Sequence, residues 1–324
     1  MTRSTAFLPR FLLMLSLLGL PLAQAAAPLH RQQAPGYYRM LIGKTEVTAI
    51  YDGFIELEPG LLKGASAKDV QKLIARMFQT TTPGVQTAVN AFVINTGDKL
   101  ILVDSGAAAC FGPGMGRLLG NLKAAGYEPG QVDAVLLTHL HADHACGLRS
   151  ADGKAVFPKA DVFASKQDAD FWLDENAMAT APKSAQGLFR MAQESVAPYV
   201  ASGRFKTFTP GGTLFGGVSS VAAFGHTPGH TAYLVKAGKE RLLLWGDIVH
   251  NHASQFVRPD ISIEFDVDAA KAIETRQRLF VEAARDQLWI GGAHLPFPGF
   301  GHVRKEENGF SWVPVEYAPL PSKK

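Results

Sequence analysis

With 324 residues, 47% of them hydrophobic and 19% charged, the chain has the composition of an ordinary globular protein of one or two domains with a sizeable core. Lys and Arg number 32 against 29 Asp and Glu, a formal charge of +3, and discounting Arg3 and Arg10 leaves only about +1 with no basic run in the remainder. A nucleic-acid partner is excluded on that ground, because phosphate binding needs a basic track.

The chain opens with a secretory signature, residues 1–25. Arg3 and Arg10 precede an apolar run from Phe11 to Leu22, and Ala23-Gln24-Ala25 fits an A-x-A cleavage site. About a dozen apolar residues fall short of the roughly 20 that span a bilayer. The mature protein is expected to start near Ala26, periplasmic or secreted, with no membrane anchor after cleavage. Residues 26–324 read as a single domain with a helical insertion near 166–200. Residues 28–45, rich in Pro, Gly and Tyr and without a period, read as an arm that packs on something. Glu46–Tyr51 has a strand pattern, and Ser66-Ala67-Lys68-Asp69 starts a capped helix reaching about Phe78. Ala91–Ile94 and Leu100–Val103 flank the glycine turn Thr96-Gly97-Asp98-Lys99 as a hairpin whose second strand ends in Asp104-Ser105-Gly106. A helix over 115–125 stops at Gly126, and a strand over 132–137 follows.

That strand delivers Thr138-His139-Leu140-His141-Ala142-Asp143-His144. In an extended segment His139 and His141 point the same way and can grip one ion. Asp143 and His144 come where the chain must turn, so they suit a neighbouring ion, and the spacing suggests two metals. A solvated His-rich loop is the bland alternative, and a deeply apolar strand feeding four ligand-type residues argues against it. Cys146 lies two residues after His144. Cys110 and Cys146 are read as buried unligated thiols, ahead of a mutual disulfide and of metal contact.

Beyond the motif, a strand over 160–165 leads into helices spanning 166–200 that carry Phe171, Trp172, Leu188, Phe189 and Tyr199. Helical spacing favours core for these side chains. Val218–Ala223 leads to His226, Ala232–Val235 pairs with Arg241–Trp245 across Gly238, and Gly246-Asp247 ends that strand. Asp268 caps a helix over 269–285, and Leu288-Trp289-Ile290 runs into Gly291-Gly292-Ala293-His294. His30 and His252 read as solvated or satisfied side chains.

The H-x-H-x-D-H run after an apolar strand resembles the signature of the metallo-β-lactamase superfamily. The resemblance extends through Asp104-Ser105-Gly106, Gly225-His226-Thr227-Pro228-Gly229-His230, Gly246-Asp247 and Ala293-His294. Within the superfamily the chain is most similar to the methyl parathion hydrolase group of organophosphorus hydrolases. That similarity rests on Leu102–Ala108, Phe111-Gly112-Pro113, Asn121–Tyr127, Ala169–Leu173 and Ala293–Gly299. The resemblance implies an α/β fold of two β-rich halves with outer helices, a four-layer αββα sandwich with the site along one edge. It implies that His139, His141 and His226 hold one divalent ion, that Asp143, His144 and His294 hold a second, and that Asp247 bridges them. Zinc is the best guess, with Mn, Co, Fe or Cd able to occupy similar shells. Asp104 becomes the acceptor that orients a ligand histidine, His230 packs behind the site, and His302 packs near His294. The insertion overhangs the ions, which moves Trp172 and Leu188, with Phe111, from core to pocket candidates. Related hydrolases use the N-terminal arm in a homodimer.

His250 departs from the pattern, since lactonases of the superfamily often carry tyrosine three residues after the bridging aspartate. Imidazole there either donates to a substrate or lines the pocket, and Ile263 is a further, weaker pocket candidate. The implied chemistry is hydrolysis by a water shared between two ions and deprotonated near neutral pH, with Asp143 and Asp247 as the catalytic carboxylates. Small neutral aryl phosphotriesters, aryl esters and lactones fit such a pocket. One alternative is a lactonase or arylesterase with incidental organophosphatase activity, and a remote one is a non-catalytic periplasmic zinc-binding protein.

Overall fold

The computed structural model describes residues 27 and 29–320, and the expected signal segment, residues 1–25, lies outside them. Pro35–Lys324 forms one compact unit, and the described residues before Pro35 form neither helix nor strand. Among the described residues no helix is long and apolar enough to cross a membrane.

The unit begins with β1 (Tyr37–Ile42), β2 (Thr45–Leu57) and the short β3 (Leu62–Lys63). Helix α1 (Ala67–Arg76) is capped by Ser66, whose hydroxyl accepts from the Asp69 N–H. The hairpin of β4 (Val85–Asn95) and β5 (Leu100–Val103) follows, then α2 (Leu118–Ala124), β6 (Ala134–Leu136) and the one-turn α3 (Ala142–Ala145). After β7 (Asp161–Ser165) come three helices, α4 (Lys166–Trp172), α5 (Glu175–Thr180) and α6 (Gln186–Ala201), and then β8 (Phe205–Phe208). The second half runs β9 (Thr213–Phe215), β10 (Val218–Ala222), β11 (Thr231–Ala237) and β12 (Glu240–Leu244). It continues through α7 (His252–Gln255), β13 (Ser262–Ile263), α8 (Ala269–Arg285), β14 (Trp289–Gly291), β15 (Phe300–Lys305) and β16 (Phe310–Pro314).

Two seven-stranded sheets result, ordered β1-β2-β4-β5-β6-β7-β8 and β16-β15-β14-β12-β11-β10-β9, with β3 and β13 as a small antiparallel pair. Alternation along the strands decides which side chains meet. On β4 and β5, Phe92, Ile94, Ile101 and Val103 face Tyr233, Val235, Leu242 and Leu244 of the other sheet. Val93 and Leu102 point the other way, into a cluster with Leu118 and Leu122 of α2 and Val196 and Tyr199 of α6. On the far side α8 presents Ala272, Leu279, Phe280 and Ala283 at helical spacing, and the last three pack with Trp245 and Ile290. Burial of a side chain such as Leu279 or Phe280 contributes about 1.5–3 kcal/mol. The layers are therefore α, β, β, α. Parallel pairing of β5 with β6 and of β12 with β14 brings four strand C-terminal ends to one edge of the sandwich.

Several sequence expectations need correction. Tyr37–Ile42, expected as part of an aperiodic arm, is the edge strand β1, paired antiparallel with β2 through six residues. Its interior side chains Met40 and Ile42 supply the apolar surface that the surrounding Pro and Gly obscure. Helix α1 stops at Arg76 because Phe78 turns left-handed (φ 54°). His302 does not pack near His294. It stacks on Trp289 with ring centroids 3.9 Å apart and hydrogen-bonds through Nδ1 to the Leu288 carbonyl. The cysteines are not free thiols: Cys110 and Cys146 form a disulfide across 36 residues. Sequence spacing could not show that the turn after β5 folds back against the metal motif. There the Ser105 N–H donates to the His144 carbonyl at 2.7 Å and the Gly147 N–H to the Gly106 carbonyl at 3.0 Å.

Closing a loop of this length in the unfolded chain accounts for about 4 kcal/mol of stability. Cys146→Ala, or reduction of the wild type, is expected to lower the unfolding free energy by that order in guanidinium melts. Superimposable melts with and without reductant would show that the crosslink does not stabilise the fold.

Candidate metal centre and cavity

The edge where the strand ends converge gathers all seven sequence-predicted ligand residues. His139 and His141 follow β6 in extended backbone, His141 with φ −66° and ψ 155°, and Asp143 and His144 sit in the single turn of α3. His226 follows β10, Asp247 follows β12 and His294 follows β14. They form two groups whose ligand atoms lie within 4.8 Å of one another: His139, His141, His226 and Asp247, and Asp143, His144, Asp247 and His294. Asp247 belongs to both. Its Oδ2 is 3.3 Å from His226 Nε2 and 3.1 Å from His294 Nε2, and its Oδ1 is 3.1 Å from His144 Nε2.

The groups are held from behind by hydrogen bonds that fix ring orientation. Asp104, left-handed at φ 62°, accepts from the Thr138 N–H at 2.8 Å and the Thr138 hydroxyl at 2.9 Å, and its Oδ2 meets His144 Nδ1 at 2.9 Å. His294 Nδ1 is 2.9 Å from the Ala88 carbonyl, and His226 Nδ1 is 2.9 Å from Asp266 Oδ1. His230 stands outside both groups. Its Nε2 accepts from the Asp247 N–H at 3.0 Å, so its Nδ1 carries the proton that reaches the Ala223 carbonyl at 2.9 Å. Asp266 was not legible in the sequence. It lies 40 residues from His226, and no motif marks it.

The electrostatics are those of a dry cluster of bases around a carboxylate. Burial holds His139 and His141 well below the usual imidazole range, and lowers His230 to about 3 and His250 to about 4. Burial opposes the cation at His226 too, but hydrogen bonds to Asp247 and Asp266 outweigh it and raise the ring to about 9. At His144 burial is again the opposing effect, overcome by Asp247, Asp143 and Asp104 together. The clearest sign of what the cluster suits is its unsatisfied buried atoms: His139 Nε2, His144 Nε2 and Asp247 Oδ1 make no hydrogen bond, the last two lying 3.1 Å apart but not aligned for one. Unpaired buried lone pairs are costly. Imidazole nitrogens and a carboxylate oxygen converging in this way are the donor set of zinc and similar divalent ions.

A cavity of about 750 Å³ opens over the cluster, with His141, Asp143, His226, Asp247 and His294 on its floor. Phe111, Trp172, Leu188 and His250, all predicted from sequence, line it, together with Phe171, Phe189 and Phe265. Trp172 does both jobs weighed for it, packing in the helical core while its ring meets His141 edge-on at 5.0 Å. Ile263 is not in the cavity wall. It is buried with Leu57, Leu62, Ala253 and Ile261, because pairing of β13 with β3 turns it inward and leaves Glu264, Phe265 and Asp266 to face the cavity. No Lys or Arg is among the described lining residues.

The family described as metallo-beta-lactamase superfamily matches residues 84–299. Among solved structures, a hydrolase AbOPH in the beta lactamase superfamily is 42% identical, with a TM-score of 0.85 over 89% of this chain and 100% of that chain. AidC, a dizinc quorum-quenching lactonase solved in complex with a product, is 26% identical, with a TM-score of 0.80 over 88% of this chain and 99% of that one. A probable metal-dependent hydrolase from Staphylococcus aureus, 17% identical with a TM-score of 0.72 over 86% and 100%, shares the fold. No curated protein sequence matches the chain.

Removing a carboxylate that orients a ligand ring typically weakens metal affinity by about 10–100-fold. Asp104→Ala is expected to do so for zinc, measured by chelator competition, with far-ultraviolet circular dichroism unchanged. An affinity equal to wild type would remove Asp104 from the site's support.

Proposed function

The chain belongs to the metallo-beta-lactamase superfamily, and from that premise we propose that it is a two-ion hydrolase of small neutral aryl phosphotriesters, aryl esters and aryl lactones. The observation that carries this reading is the pair of His/Asp groups sharing Asp247 on the floor of an apolar cavity. His139, His141 and His226 would hold one ion, Asp143, His144 and His294 the other, and Asp247 both, with zinc favoured by the donor set. Such ions, when bound, lower the pKa of a water and polarise a carbonyl or phosphoryl oxygen.

The remaining work falls to the chain's own residues. Asp143 lines the cavity, with its carboxylate 3.5 Å from His144 Nε2 and 3.4 Å from His294 Nε2, and it accepts a hydrogen bond from the attacking water and aims it. Asp247 is held by backbone and side chain at once, which fixes the spacing of the two groups. Trp172, Phe171 and Phe189 exclude water and offer aromatic faces to an aryl leaving group. With acids but no Lys or Arg among the described wall residues, and with His250 neutral, the wall above the cluster offers an anionic substituent no cationic side chain. An aryl oxide leaving group needs little protonation, so the lack of a separate general acid is no obstacle.

A second reading puts lactone or ester hydrolysis first and organophosphate turnover as a side activity. The likeness to the lactonase AidC supports it, while His250, 3.1 Å from Asp247 on the cavity floor, counts against it by standing where lactonases of the superfamily often carry tyrosine. The two readings separate in kcat/KM measured side by side on paraoxon, dihydrocoumarin, an aryl acetate and an acyl-homoserine lactone. A phosphotriester lead of tenfold, about 1.4 kcal/mol of transition-state binding, marks a pocket tuned to phosphorus, and the opposite order marks acyl transfer to water.

Chelation is expected to abolish turnover, and re-addition of zinc to restore it. Asp247→Asn is expected to lower kcat by about 100-fold or more. Near-wild-type turnover with both ions still bound would sink the enzyme reading and leave a zinc-binding protein on a hydrolase scaffold.

A further inference from the structure

Asp168 is completely buried in the first turn of α4, 24 residues beyond the last ligand of the metal motif, and it carries no ligand atom of either group. Its two carboxylate oxygens are divided between two loops. Oδ2 accepts from the Leu140 N–H at 2.9 Å, and Oδ1 accepts from the Gly229 N–H at 2.8 Å. Leu140 is the residue between His139 and His141. Gly229 belongs to the turn that carries His226 and His230.

A single side chain thus joins the first-half loop to the second-half loop at the place where three imidazoles must converge. The approach is close. A Cβ on Gly229 would lie 2.0 Å from Ser165 Oγ and 2.3 Å from the Asp168 backbone nitrogen, so the second loop presses directly on the start of α4. No comparable bond runs from Asp168 to Asp143, His144 or His294, whose supports are Asp104 and the Ala88 carbonyl.

We propose that Asp168 is a positioning residue that sets the spacing of His139, His141 and His226, and so governs one ion site selectively while leaving the other to separate supports. The inference rests on the two-ion reading above. An isosteric amide cannot replace the carboxylate, because one of its two terminal atoms becomes an N–H₂ facing a backbone N–H.

The experiment is cobalt(II) titration of the apo forms of wild type, Asp168→Asn and Ser66→Ala. It is followed by visible absorption and chelator competition, with thermal melts of each protein. Ser66 caps α1 by accepting from the Asp69 N–H and makes no hydrogen bond to Asp168, Leu140 or Gly229, so its loss is expected to lower Tm and leave both cobalt affinities as in wild type. In Asp168→Asn one of the two cobalt equivalents is expected to weaken by about 10–100-fold while the other keeps its affinity, a split that general destabilisation does not produce. Asp168→Ala, which removes both acceptors, is expected to extend the same split. Two unchanged equivalents in Asp168→Asn, or equal weakening of both in step with Tm, would overturn the proposal. Wild type that binds no cobalt at all would instead overturn the two-ion reading and this inference with it.

Discussion

Three imidazole nitrogens and a carboxylate, packed within 4.8 Å of one another and away from water, repel or strand one another unless each is held from outside the cluster. The surrounding structure depends on meeting that constraint. Three of the five ligand rings have a fixed partner on the nitrogen that turns away from the cluster: Asp104 for His144, Asp266 for His226, and the Ala88 carbonyl for His294. Asp247 is fixed through its N–H by His230, a histidine that contributes geometry rather than a ligand. These partners come from β4, from the end of β5, from the residue before β11 and from the loop before α8. The whole edge of the sandwich is thereby committed to one arrangement.

The sheets make that arrangement economical. Parallel β5 and β6 end side by side, as do β12 and β14, so short extensions of four strands reach a common place without long loops. The helical insertion between β7 and β8 then roofs the edge with aromatic side chains. Trp172 packs against Phe171 and Phe189 in the core cluster and still meets His141 with its ring edge. Cavity wall and helix packing are the same set of contacts, which is why shape selectivity and stability are hard to separate here.

What was legible in the sequence follows from the range of the interactions involved. Ligands announced by local spacing, His139 to His144, stood out because the strand period places them, and Ser66 and Asp268 marked helix starts through bonds three residues long. His226, Asp247 and His294 became identifiable through family resemblance. Asp168 and Asp266 stayed hidden, since their partners lie 28 to 61 residues away and an isolated Asp in a helix start or loop looks like any surface acid. Ile263 shows the limit at strand level: a two-residue strand has no period to read, so one step decided between core and cavity. The cysteine pairing ranked behind free thiols for a like reason, as only the fold brings the turn after β5 against the segment following His144.

The disulfide bears on more than loop closure. Cysteine sulfur, once ionised, is the softest donor a protein offers and outcompetes imidazole for cadmium, copper(I) and other thiophilic ions. Cys146 lies two residues beyond His144, close enough in sequence for a free thiolate there to divert such an ion from the neighbouring nitrogens. Joined to Cys110, it offers no thiolate, and the chain has no other cysteine. The crosslink thus takes both of the chain's sulfurs that could ionise out of competition for such ions, and the two ligand groups offer only nitrogen and oxygen.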